Sequence, residues 1–286
     1  MATLRWYGAN RTGAQFVTGG SNPEGVAFDG AYVWIANAGT GDVSRVRASD
    51  GSVFGPYAVG TQPRALASDG TNMWVTDYGS NAAKKLDGST GTVLGTYAVG
   101  TQPRGIAFDG TNMWIANSGA GTLTELRASD GVLLNTVTVG SGPVGVAVDG
   151  TNVWVTNSTA GTVTKIRASD GASLGTFAVA TQPSGIAFDG SSLWIANTGS
   201  NSVTRLRASD GVSQGTVSVG TQPTAVAFDG SNVWVTNYGS ATVTKLLALD
   251  GSVLGTFSTG TGPAGVAFDG IAVWIANFLD GTASKL

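Results

Sequence analysis

Tryptophan recurs every 40 residues along the chain, at Trp34, Trp74, Trp114, Trp154, Trp194, Trp234 and Trp274. Proline keeps the same step at Pro23, Pro63, Pro103, Pro143, Pro183, Pro223 and Pro263, and so do the Asp-Gly pairs that begin at Asp29, Asp69, Asp109, Asp149, Asp189, Asp229 and Asp269. A fixed period of this size restricts the chain to a solenoid, a propeller or an array of repeats. Because the spacing never slips, no loop in any unit carries an insertion.

One unit decides among these. Residues 103–140 read PRGIAFDGTNMWIANSGAGTLTELRASDGVLLNTVTVG. Four short runs of β-formers, GIAFD, MWIAN, TLTELRA and VLLNTVTV, are separated by turn signals. Asp109-Gly110 and Asp130-Gly131 supply the positive φ angles that tight hairpins need. No stretch sustains a helical period. Four antiparallel strands in each of seven units predict an all-β, seven-bladed β-propeller with strands running outward from a central channel. The last unit stops at Leu286, level with the end of a third strand, and residues 11–18 precede Pro23 where a fourth strand belongs. The N-terminal segment is therefore expected to complete the last blade, making residues 1–286 a single domain. Residues 1–6 compete for the third-strand place of residues 282–286, so one of the two must lie elsewhere.

Composition limits the function classes. Charged residues make up only 12% of the chain and the net charge is −3, which gives no general attraction to nucleic acid or to an anionic membrane. No apolar run has membrane-spanning length, and residues 1–20 lack the apolar core of a signal peptide. There is no cysteine, hence neither disulfide nor thiol chemistry. A lysine-poor, Thr- and Gly-rich surface suggests a protein secreted by a prokaryote or held at its surface.

The unit VGTQPRGIAFDGTNMWIANSGAGTLTELRASDGVLLNTVTVG resembles the YVTN-type propeller repeat of surface-layer and other exported microbial proteins. It is also similar to the repeats of streptogramin lyase and the wider NHL-like group. The matching pieces are VG-x-x-P-x-G-I/V-A at the start, W-V-T-N or W-I-A-N in the second strand and T-V-T-K-I/L in the third. The resemblance covers residues 20–286 and implies the propeller fold; propellers host many unrelated activities. For streptogramin lyase it implies histidines and a divalent metal on one face. This chain has no histidine, so that chemistry does not transfer. Serine nucleophiles lack a histidine base, and zinc, copper and iron sites lack their usual ligands.

The carboxylates are mostly committed to turns. Seven of the 18 acids are the first-turn Asp residues, and Asp50, Asp130, Asp170, Asp210 and Asp250 recur in the turn between strands three and four. Asp in such a turn caps its own backbone. Glu24, Asp42, Asp77, Asp87, Glu125 and Asp280 break the pattern. The mid-strand Trp residues read as core, with Trp6 outside the register. Asn37, Asn117, Asn157, Asn197, Asn237 and Asn277 close the second strands, and Asp77 replaces Asn once. The cations Arg45, Lys85, Lys165, Arg205, Lys245 and Lys285 on strand three read as a solvated ladder that protects an edge, with Glu125 at the equivalent place in the third unit.

Specificity belongs where the units differ. The residue after each Pro is Glu24, Arg64, Arg104, Val144, Ser184, Thr224 and Ala264, and the loops after strand two carry Tyr78, Tyr238 and Phe278. Glu24, Arg64, Asp77, Tyr78, Arg104 and Tyr238 are the candidate binding residues, with Asp77 expected to pair with a neighbouring Arg. No catalytic residue, cofactor or metal is expected. These readings point to a non-catalytic scaffold that binds a protein partner or assembles with itself. The alternatives are a multivalent lectin that binds glycans and, least favoured, a metal-dependent lyase or lactonase.

Overall fold

The computed structural model of the chain describes residues 14–286. Seven four-stranded antiparallel sheets stand around a central channel, and essentially every described residue outside them is in a turn. In the first blade the strands are Pro23–Phe28, Tyr32–Asn37, Asp42–Arg47 and Val53–Ala58, and the same order recurs at each repeat. The last blade takes Pro263–Phe268, Val273–Asn277 and Thr282–Lys285 from the C-terminal end and Ala14–Val17 from the N-terminal end. Ala14 pairs with Lys285 and Phe16 with Ala283 in an antiparallel register. The N-terminal segment therefore closes the ring as expected, its described strand being Ala14–Val17. Residues 1–6, Trp6 among them, lie outside the described residues, as do residues 11–13.

Each first-turn Asp does two jobs. Asp149 Oδ1 accepts the amides of Thr151 and Asn152, which fixes the hairpin, while its Oδ2 accepts the indole N–H of Trp154 at 2.8 Å. Asp109 holds Trp114 in the same way at 2.7 Å, and the other five units repeat the bond. A buried indole N–H needs such an acceptor. The Asp-Gly turn and the Trp five residues later are thus one device. The second set of turn Asp residues caps as expected: Asp130 Oδ1 accepts Val132 N, and Asp210 Oδ1 accepts Val212 N. Their companion ion pairs, such as Arg167 with Asp170, are exposed and add little.

The Trp rings fill the seams between blades. Trp34 packs with Leu66, Met73, Val75 and Leu86 of the following blade, and Trp154 with Ile186, Leu193, Ile195 and Leu206. The hydrophobic core is therefore divided into inter-blade layers, which lock each sheet to the next.

The basic ladder on strand three is not solvated, contrary to the reading of strand position alone. Arg45, Lys85, Lys165 and Lys285 are all buried. Lys165 Nζ lies 4.8 Å from the Trp154 ring centroid and donates to the Ala208 carbonyl at 2.7 Å. Lys85 does the same over Trp74, reaching Ala128 O at 2.7 Å. The aliphatic stem covers the indole while the ammonium satisfies the turn carbonyls of the next blade. The ladder rivets blades together.

Candidate functional site

The turns before the first strand and after the second lie on one face, tied by bonds such as Ala38 N to Asn22 O and Tyr78 N to Gln62 O. There the first strands of all seven blades enclose a channel mouth of about 210 Å³. The residue after each Pro lines it: Glu24, Arg64, Arg104, Val144, Ser184, Thr224 and Ala264. Four consecutive positions are neutral, and the hydroxyls of Ser184 and Thr224 are spent on the next blade's carbonyls, Thr224 O at 2.9 Å and Ala264 O at 3.1 Å. The charge is confined to the arc of blades one to three.

Within that arc, four of the candidate residues meet. Glu24 Oε2 accepts a hydrogen bond from Arg64 and forms an ion pair with it. Two guanidinium groups lie over the Tyr78 ring, Arg64 4.9 Å and Arg104 5.3 Å from its centroid. Arg104 makes no ion pair among the described residues, and Arg64 Nε is buried without a hydrogen-bond partner. The hydroxyl of Thr76 donates to the Arg104 carbonyl at 2.7 Å and fixes that backbone at the mouth. The Glu24 side chain is crowded on most sides by the channel neck but keeps 25% of its surface open. Burial pushes its carboxyl above the ordinary glutamate value, although the charge and hydrogen bond of Arg64 and the charge of Arg104 pull the other way. The result is a carboxyl raised by burial next to two cations, one of which makes no ion pair among the described residues.

The other two candidates lie outside this cluster. Asp77 is fully buried and pairs with no Arg among the described residues. It accepts the amides of Thr61 at 3.2 Å and Gln62 at 3.1 Å and the hydroxyl of Ser80, so it serves the loop. Tyr238 packs on Phe278 of the last blade, with ring centroids 6.2 Å apart. Thr198, which the sequence reading passed over, occupies the Tyr78 position of its blade and bonds Pro223 O and Ser184 Oγ. Its identity as Thr in a variable loop carried no distinguishing signal.

The off-pattern acids now separate. Asp42 accepts Asn37 Nδ2 at 2.7 Å and Asp280 accepts Thr261 N at 2.8 Å. Asp87 caps Ser89 and Thr90, which pull its carboxyl down to about 2. Only Glu24 and Glu125 are pushed upward. The features that would make a per-blade lectin are also accounted for: the seven repeat Trp residues and the second-strand Asn residues are buried rather than presented.

No family model matches the sequence, and no curated protein sequence matches it. Solved structures do share the fold. Kuenenia stuttgartiensis hydrazine synthase superposes with a TM-score of 0.86 at 20% identity, over 95% of this chain and 97% of that one. The streptogramin B lyase structure gives a TM-score of 0.79 at 22% identity, over 93% of each chain. The resemblance to the streptogramin lyase propeller thus holds for the fold. Both structures carry the names of enzymes, which overturns the expectation that a ring of this build is a purely non-catalytic scaffold. Absence of His and Cys removes particular chemistries, but it leaves carboxylate, arginine and tyrosine chemistry available.

Proposed function

We propose that the chain binds a small carboxylate-bearing molecule at the loop-face mouth of its channel and moves a proton on it. The observation that supports this reading is the Glu24 carboxyl, raised by burial although it touches Arg64, with Arg104 beside it making no ion pair among the described residues. Arg104 holds the substrate carboxylate, and a planar guanidinium suits that task. Tyr78 fixes the plane of both guanidinium groups. Glu24 takes a proton from the carbon next to the bound carboxylate, and the electron pair moves into that carboxylate, where Arg64 and Arg104 balance the added charge. Return of the proton, or departure of a group on the neighbouring carbon, completes an isomerisation or an elimination. The small mouth suits a compact acid.

Malonate is a suitable probe. Calorimetric titration should show binding with proton exchange that depends on the buffer. Arg104→Ala should weaken it at least tenfold, a loss of about 1.4 kcal/mol. Glu24→Gln should keep most of the affinity and lose the proton exchange. In D₂O, the wild-type protein should speed exchange of the malonate methylene protons, and Glu24→Gln should not. Malonate exchange that is unchanged by the protein, or that survives Glu24→Gln, would refute the proposal.

A further inference from the structure

Glu125 is the other acid whose carboxyl is pushed upward, by burial and by the charge of Asp109. It stands in the third blade where the others have Lys or Arg. In those blades the cation fills a slot between the first-turn Asp, the Trp ring and the turn carbonyls of the next blade. Lys85 Nζ lies 3.9 Å from Asp69 Oδ2 and donates to Ala128 O at 2.7 Å and Ser129 O at 3.1 Å. Lys165 reaches Ala208 O and Ser209 O, and Arg45 reaches Gly88 O and Ser89 O. The equivalent carbonyls at the seam between blades three and four are those of Ala168 and Ser169. No side chain among the described residues donates to them.

Two neighbours of Glu125 differ as well. Asn72, Asn152 and Asn232 donate to the first-turn Asp of their own blades. Asn112 instead donates to Glu125 Oε1 at 2.7 Å, and its Oδ1 is buried with no partner. Opposite Glu125 on the fourth strand stands Asn135, where Lys85, Lys165 and Arg205 face glycine. Asn135 turns its amide oxygen to Thr136 N, so the oxygens left at the place that the counterparts fill with positive charge are those of Glu125, Asp109, Asn112 and the two carbonyls. Glu125 is only 7% exposed and makes no ion pair among the described residues.

We infer that this seam is a site for a bound Ca²⁺, held by Glu125, Asp109, the carbonyls of Ala168 and Ser169 and the Asn112 amide oxygen. An alkylammonium ligand would find its path taken by the Glu125 stem. A glutamate oxygen stops about one bond short of a lysine ammonium. That shorter reach leaves room beside the carbonyls for an ion that several oxygens share at about 2.3–2.6 Å each. A mixed set of carboxylate, amide and carbonyl oxygens with irregular spacing suits Ca²⁺ better than Mg²⁺, which demands a tighter octahedron.

The test is thermal unfolding of the wild-type protein and of Glu125→Lys, each with CaCl₂, with MgCl₂ and with neither. Ca²⁺ should raise the wild-type midpoint by several degrees and Mg²⁺ by much less, since a ligand that binds only the folded chain stabilises it. Glu125→Lys restores the residue type of its counterparts. It should start from a higher midpoint and show no response to Ca²⁺. Tb³⁺ in place of Ca²⁺ should luminesce on excitation of tryptophan, with most of the signal lost in Trp114→Phe. A wild-type midpoint indifferent to Ca²⁺, or a response that persists in Glu125→Lys, overturns the assignment.

Discussion

Single residues carry both the charge at the channel mouth and the cohesion of the ring. Burial raises the Glu24 carboxyl, so the folded chain holds that proton more tightly than the unfolded chain does. Its stabilising contribution is complete below the ordinary value of 4.5 and is lost as pH rises through the raised one. The stability difference between wild type and Glu24→Gln should therefore fall with rising pH across that window, as read from unfolding midpoints. A difference that grows would mean that the ion pair with Arg64 outweighs burial. On the ladder, Lys165→Met keeps the apolar cover of Trp154 but leaves the Ala208 and Ser209 carbonyls without a donor. It should cost about 1–3 kcal/mol in denaturant unfolding, whereas Arg167→Ala on the exposed pair should stay within about 0.5 kcal/mol. The repeat positions of Trp, Asp and Pro were readable because constant spacing reports strand and turn directly. The roles of Lys165 and Asp77 were not. Spacing places a side chain on a strand but does not say which neighbouring blade covers it.

Among the elements, the N-terminal strand Ala14–Val17 bears the most consequence for its length. Among the described residues it is the only partner of the outer edge of Thr282–Lys285, and it sets the Phe16 ring centroid 5.1 Å from that of Trp274. Removing residues 1–17 bares that edge and strips one face of Trp274. The thermal midpoint should fall sharply, and the truncated chain should associate through the open edge, as light scattering would detect. An unchanged midpoint would show that the ring holds without its clasp. This closure was legible from the complementary chain ends. The meeting of Glu24, Arg64, Tyr78 and Arg104 was legible in part, because variable positions in adjacent units on one face must be neighbours. Asp77 and Tyr238 satisfied the same test, yet Asp77 turns to its own loop and Tyr238 to Phe278 of the next blade.

At the scale of the whole molecule, the blades alternate. Thr76, Thr156 and Thr236 donate across the seam to Arg104 O at 2.7 Å, Ser184 O at 2.6 Å and Ala264 O at 3.3 Å. The intervening blades have Ala36, Ala116, Ala196 and Ala276 instead. A two-blade rhythm cannot close on an odd number, so the alanine blades meet once, where Ala276 faces the blade that begins with Glu24. Ala276→Thr should supply the missing bond to the Glu24 carbonyl and raise stability by about 1 kcal/mol. A lower midpoint would mean that this seam is packed too tightly for the added atoms. The Trp set has an optical counterpart to this broken symmetry. Six indoles sit under a positive charge: Arg45, Lys85, Lys165, Arg205, Lys245 and Lys285 lie 4.8–5.4 Å from the centroids of their Trp rings. Trp114 is paired across the ladder with Glu125 instead. A nearby charge shifts the energy of indole emission according to its sign, so Trp114 should emit at a different wavelength from its six counterparts. One native fluorophore then distinguishes a single seam, and its colour reports what occupies the place beside Glu125.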